Sequence, residues 1–206
     1  HGLDVVVHGA EAGASEAEAR RVAEAEGKIY VSPYNDPLVV GGQGTCGLEI
    51  SRQLPDLEVA VFAVGGGGLI AGAGGWLKEF NPDIQVFGVS PENSPVMYES
   101  MRANRVIDME TYPTLADTCA GGVDHDAITL DLCQRYIDEM FLLSESEIED
   151  AIRVLFEHHR LIVEGSAAMS VGALLKHPGW FEGKKVVLVL CGRNIDPDRF
   201  RQIIGA

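Results

Sequence analysis

The sequence has 206 residues, 46% of them hydrophobic, and its 31 acidic and 16 basic side chains give a formal charge of -15. That length can enclose one well-buried core and part of a second. The charge repels a phosphodiester backbone and no cluster of Lys and Arg offsets it, which argues against a nucleic-acid partner. No apolar run approaches the ~20 residues that span a bilayer, so a soluble, cytoplasmic protein is expected. Cys46, Cys119, Cys133 and Cys191 have neither the paired spacing of zinc ligands nor the density of a disulfide scaffold, and they read as reduced thiols.

Apolar runs of strand length alternate with stretches of helical period, the pattern of an α/β protein around a parallel sheet. Leu3 to Val7 reads as a strand, Ser15 to Ala25 as a helix and Lys28 to Val31 as a second strand. Ser15 with Glu18 three residues later predicts a capping box, and Gly27 a helix stop. A strand so near the first residue implies that its neighbours lie upstream or on another chain. Ser32 to Pro37, with two prolines and an Asn-Asp pair, is turn chemistry and the candidate crossing between two domains.

Beyond that turn, helices are expected over Thr45 to Leu54 and Leu69 to Phe80, with strands over Glu58 to Val64 and Ile84 to Val89. Ser90 to Asp126 gives no firm pattern. Ile128 to Glu139 reads as a helix, Met140 to Leu143 as a short strand, and Glu145 to His159 as a helix capped by Ser144 and Glu147. Glu164 to Leu175 is helical, and the apolar run Lys185 to Leu190 predicts a strand buried on both faces. Asp124 and Asp126 are expected to cap the helix that follows them. Adjacent His158 and His159 point to different helix faces and cannot share a metal.

Gly65, Gly66, Gly67 and Gly68 stand between a strand and a helix. Without Cβ atoms they can adopt left-handed dihedrals and let an anion approach the backbone amides. Together with roughly half a positive charge at the helix N-terminus, those amides make an anion site that needs no basic side chain. A tight turn alone is the other reading, but four successive glycines raise the entropy of the unfolded chain. The run lacks the Lys-Ser/Thr of a P-loop and the third glycine of a dinucleotide fingerprint.

Val64-Gly-Gly-Gly-Gly-Leu69 resembles the phosphate loop of fold-type II pyridoxal-phosphate enzymes of the threonine dehydratase, serine dehydratase and serine racemase group. Gly42-Gln-Gly-Thr-Cys-Gly-Leu-Glu49, Leu115-Ala-Asp117, Val163-Glu-Gly-Ser-Ala-Ala168 and Val189-Leu-Cys-Gly-Arg-Asn-Ile-Asp196 are similar to further signatures in the same order. The resemblance implies a three-layer, parallel-sheet large domain over residues 34–206 and the last βαβ of a small domain over residues 1–33. It implies pyridoxal 5'-phosphate as cofactor, held by Gly65, Gly66, Gly67, Gly68 and Leu69. Cys191 takes the place of the residue that meets the pyridine nitrogen, and Glu164 that of a carboxylate near the ring. A small buried hydrophobe at a strand end, and a charge in a helix's first turn, are the bland alternatives for these two.

Two departures from the family pattern are informative. Ser90 and Val96 occupy the positions where racemase-like members carry metal-binding carboxylates, so no divalent metal is expected there. Thr118 replaces a glycine beside the expected pocket. The catalytic, Schiff-base-forming lysine of the family is also not matched by Lys28, Lys78, Lys176, Lys184 or Lys185. No catalytic residue is therefore assigned in this chain, which reads as the C-terminal part of an enzyme and alone inactive. The implied whole is a threonine or serine dehydratase, a lyase that acts on a small amino acid and works as a homo-oligomer, a dimer, or with the missing N-terminal segment. The alternatives are a non-catalytic subunit that needs a partner chain, a serine racemase, a hydroxyaspartate lyase or an osmolyte-pathway dehydratase.

Overall fold

The computed structural model describes Gly2, residues 4–9 and residues 12–205. Four parallel strands, β1 (Val59–Ala63), β2 (Gln85–Pro91), β3 (Glu139–Leu143) and β4 (Val186–Leu188), form one sheet in the order β3-β2-β1-β4. Around it run α1 (Ala12–Glu26), α2 (Pro37–Gln53), α3 (Gly68–Phe80), α4 (Val96–Ala103), α5 (Ile128–Tyr136), α6 (Glu145–His159), α7 (Gly165–Lys176) and α8 (Pro197–Ile204).

Successive strand residues point to opposite faces, and β1 is apolar on both. Val59, Val61 and Ala63 join Phe87, Ile148, Ile152, Met169 and Phe200 in a core beneath α6, α7 and α8. Ala60, Phe62 and Val64 join Val86, Ile70, Leu77 and Cys133 in a second core beneath α3 and α5. Helices on both faces make the three layers expected of a parallel sheet. β4 was expected to be doubly buried, yet its residues are half-buried, because it is the outer strand and pairs only with β1 among the described residues.

The two early strands are not formed. Leu3 lies outside the described residues, and residues 4–7 and 28–31 belong to no strand. Val5, Val6, Val7 and Ile29 are more than 80% exposed, at 81, 86, 88 and 90%. A strand has no hydrogen bonds of its own to satisfy its backbone, and no described segment pairs with either run. The helix between them begins at Ala12, so Ser15 lies inside it and is not its cap; the Ser15 hydroxyl donates to the His8 carbonyl. Gly27 does end that helix. At φ +63° it closes a Schellman pair, Gly27 N–H to Glu24 O at 3.3 Å and Lys28 N–H to Ala23 O at 2.8 Å.

α2 begins eight residues before the expected Thr45. Asp36 caps it by accepting from the Leu38 and Val39 amides at 2.7 and 3.2 Å, and Pro37 fills its first position. The glycines that disguise this helix are contact points. A Cβ on Gly47 would lie 2.4 Å from the Ala73 carbonyl oxygen, and one on Gly72 of α3 would lie 2.2 Å from the Val40 carbonyl oxygen. The backbones of α2 and α3 therefore touch directly.

α6 has the expected capping box, Ser144 Oγ accepting from Glu147 N–H and the Glu147 carboxylate from Ser144 N–H. Asp124 and Asp126 do not cap α5. Its first amide, Ile128 N–H, donates to Asn35 Oδ1 at 3.0 Å, while Asn35 Nδ2 donates to Asp124 at 3.0 Å and Asp126 at 3.1 Å. Asp124 also accepts from Arg20 of α1 at 2.8 Å. Helices α4 and α8 had no counterpart in the sequence reading, although Asp196-Pro197 opens α8 with the same cap as Asp36-Pro37 opens α2.

Candidate cofactor site

β1 delivers the chain to the C-terminal end of the sheet, where Gly65 to Gly68 turn it into α3. Gly67 is the N-cap of α3, in the left-handed region at φ 82°, ψ -2°, and no side chain among the described residues caps the helix. The first intrahelical bond is Ala71 N–H to Gly67 O at 3.0 Å, so the amides of Gly68, Leu69 and Ile70 have no partner within the helix. Each glycine is needed for packing as well. A Cβ on Gly65 would lie 2.8 Å from the Cys119 Cα, one on Gly66 2.4 Å from the Tyr34 ring, and one on Gly67 2.7 Å from the Cys133 sulfur.

The loop forms one wall of a cavity of about 410 Å³. Gly65 to Leu69, Tyr34, Gln43, Thr118, Cys119, Gly121, Gly122, Ser166 and Cys191 line it, with Glu16 and Asp117 also on its walls. Small-molecule sites run from ~300 to 1,000 Å³. Among the described residues no Lys or Arg lines the cavity, so its attraction for an anion comes from the uncapped amides and the helix dipole. Space, bare amides and a loop without side chains fit a phosphate-bearing cofactor of small-molecule size.

Of the residues singled out from sequence, Gly65 to Gly68, Leu69 and Cys191 meet in this cavity. Cys191 follows β4 and is exposed as a residue, yet its thiol is pushed above the usual range, first by desolvation and further by the Glu164 carboxylate. Glu164 does not line the cavity. It sits 6% exposed behind the wall, accepting from Thr118 Oγ1 at 2.8 Å and from Asn194 N–H at 3.0 Å, and faces a second cavity of about 310 Å³ with Glu145 and Asp196. Thr118 lines the main cavity as its sequence position suggested. Tyr34 and Ser166 were missed. The signal for Tyr34 was its place in the turn before α2, and that for Ser166 its place within the signature Val163 to Ala168.

The five lysines lie elsewhere. Lys78 pairs with Asp138 at 2.7 Å, Lys176 with Glu147 at 2.8 Å, Lys28 with Glu26 and Lys185 with Asp56, and Lys184 donates to Gln85. At the two positions tied to metal in the sequence reading, the Ser90 hydroxyl donates to the Val64 carbonyl at 2.8 Å and Val96 is buried in the core.

A glycine-looped helix start at the carboxyl end of a three-layer parallel sheet, opening on a cavity that can take a phosphorylated cofactor, defines a class of cofactor-dependent enzyme. Residues 1–192 match the family described as pyridoxal-phosphate dependent enzyme, and the chain belongs to that family. It is 45% identical over 91% of its length to an L-threonine ammonia-lyase from Thermotoga maritima, and 36% identical over all of it to a catabolic L-threonine dehydratase from Escherichia coli K12. These matches cover 46% and 63% of the two relatives, so the chain spans about half to two-thirds of their length. Among solved structures, it superposes on the processed threonine deaminase isoform 2 of Solanum lycopersicum with a TM-score of 0.90, 31% identity and coverage of 99% of this chain and 56% of that one. For a maize serine racemase the values are 0.86, 27%, 96% and 62%.

Proposed function

We propose that the complete protein is a pyridoxal-phosphate-dependent L-threonine or L-serine ammonia-lyase, releasing a 2-oxo acid and ammonia. The observation that carries this reading is that the uncapped glycine loop and Cys191, 123 positions after Gly68, line one cavity. The 45% identity to an L-threonine ammonia-lyase favours the lyase over other activities of the fold.

Bound pyridoxal phosphate would supply an electron sink that lets the proton leave the carbon beside the substrate's amino group. Gly65 to Gly68 and Leu69 would hold its phosphate through their amides. Cys191 would stand at the ring nitrogen, and its raised thiol pKa keeps it neutral there at pH 7. Thr118, Cys119 and Ser166 would form the wall against the ring, and Tyr34 would close the loop from the other side. The lysine that anchors the cofactor would come from outside this chain, since none of its lysines lines the cavity. On the same reading, residues 1–33 belong to a small domain and 34–206 to the large one, and the enzyme is a cytoplasmic homodimer.

The test is to supply the complete gene product with pyridoxal phosphate and either L-threonine or L-serine, following 2-oxobutyrate, pyruvate and the enantiomers of serine. Formation of a 2-oxo acid is expected. A protein that binds the cofactor yet yields none from either amino acid would sink the lyase reading, and D-serine without pyruvate would replace it with a racemase.

A further inference from the structure

Behind the ring wall of the cavity, one carboxylate holds two chain segments together. Glu164 donates its N–H to Gly192 O at 3.3 Å, and its Oε2 accepts from Asn194 N–H at 3.0 Å. Gly192, at φ +149°, lies so close that a Cβ there would stand 2.3 Å from the Glu164 carboxyl carbon. The segment that carries Cys191 is thus wrapped around Glu164.

The other carboxylate oxygen, Oε1, has one side-chain donor among the described residues, Thr118 at 2.8 Å. Thr118 Oγ1 also lies 2.6 Å from Ser166 Oγ. A hydroxyl has one proton and a carboxylate only accepts, so Thr118 gives its proton to Glu164 and Ser166 donates to Thr118. Ser166 is 2% exposed, so the chain of bonds ends in the buried wall. Thr118 itself is exposed and lines the cavity. Its hydroxyl therefore couples a cavity-facing turn to the segment on the far side of Glu164.

We propose that Thr118 is a positioning residue of the site: through Glu164 it fixes the segment 191–194, and with it the seat of the cofactor's ring. This rests on the cofactor reading above for the identity of the ligand, and on the hydrogen-bond geometry alone for the coupling. Thr118→Val keeps the shape and removes the hydroxyl, while Thr118→Ser keeps the hydroxyl. Because the residue lies on the cavity surface, neither change opens a hole in the core.

In the complete gene product, two measurements decide it. The first is hydrogen exchange of the 190–195 segment without cofactor, read by mass spectrometry. The second is the dissociation constant of pyridoxal phosphate, read by fluorescence, together with its absorption maximum. Thr118→Val is expected to speed exchange of the segment, weaken cofactor binding about tenfold, the worth of one charge-assisted hydrogen bond, and shift the absorption maximum. Thr118→Ser is expected to restore all three. A Thr118→Val protein that matches wild type in exchange or in cofactor affinity overturns the proposal, as does a Thr118→Ser protein as impaired as the valine variant. If the wild type takes up no pyridoxal phosphate, the cofactor reading fails, and the exchange rate alone still decides whether Thr118 fixes the segment.

Discussion

The ring of Tyr34 occupies the space that a side chain on Gly66 would need, with a Cβ there only 2.4 Å from the ring carbon Cγ. The phenol oxygen accepts from Asp124 N–H at 2.8 Å, which anchors the ring against the loop. Gly66→Ala must displace Tyr34, and overpacking of this kind costs about 1–3 kcal/mol. The expected outcome is a lower melting temperature together with cofactor affinity reduced about tenfold or more in a pyridoxal phosphate titration. Tyr34→Phe, which keeps the ring and loses one hydrogen bond, should cost about 1 kcal/mol and leave the affinity near wild type.

Gly72→Ala should be worse than an ordinary glycine-to-alanine change. In an isolated helix that replacement stabilises by about 1 kcal/mol. Here the added methyl meets a backbone carbonyl at 2.2 Å, so α2 and α3 must separate. Urea unfolding should show a loss of at least about 2 kcal/mol, whereas Gly41→Ala on α2, where nothing lies within 4 Å of the added Cβ, should be neutral or stabilising.

Asn35 joins the turn before α2 to the start of α5. Asn35→Ala removes the acceptor for Ile128 N–H and should cost about 1–2 kcal/mol, the usual worth of a helix cap. Asn35→Asp keeps the acceptor but sets a carboxylate where the amide nitrogen now lies 3.0 and 3.1 Å from Asp124 and Asp126. At pH 7 it should be at least as destabilising as alanine, a comparison that thermal melts of the two variants would make.

The four thiols separate by environment. Burial pushes Cys133 and Cys119 up to about 12, and Cys46 and Cys191 are also raised, first by desolvation. Alkylation at pH 8 should label Cys191 and Cys46 first and spare Cys133, with pyridoxal phosphate protecting Cys191. The same shifts set a pH dependence. Above about pH 9 the unfolded chain loses thiol protons that the folded chain keeps up to about 12, so the unfolded state is favoured as pH rises. Melting temperature should therefore fall between pH 9 and 12, less steeply in Cys133→Ala.

Much of this architecture was legible because its signals are local. The box at Ser144 and Glu147, the stop at Gly27 and the glycine turn at Gly65 to Gly68 each depend on residues a few positions apart. Contacts between distant segments were not legible. Asn35 caps a helix 93 positions away, so the nearer Asp124 and Asp126 were credited with its task. The glycines of α2 give no local helix signal, because the helix that requires them, α3, lies elsewhere in the sequence. Leu3 to Val7 and Lys28 to Val31 have the composition of strands, but a strand exists only with a neighbour. For the site, the phosphate grip was readable as backbone chemistry, while Glu164's place behind the wall depends on Thr118 and Asn194 together.

The backbone contact between α2 and α3 has an evolutionary corollary. A clash between two side chains can be relieved by shrinking either one, so a lineage can pass through compensating changes. A methyl group at Gly47 or Gly72 would meet the main-chain oxygens of Ala73 and Val40, which no substitution shortens. Second-site suppressors should therefore be scarce in a selection started from either alanine variant, leaving reversion as the main route back.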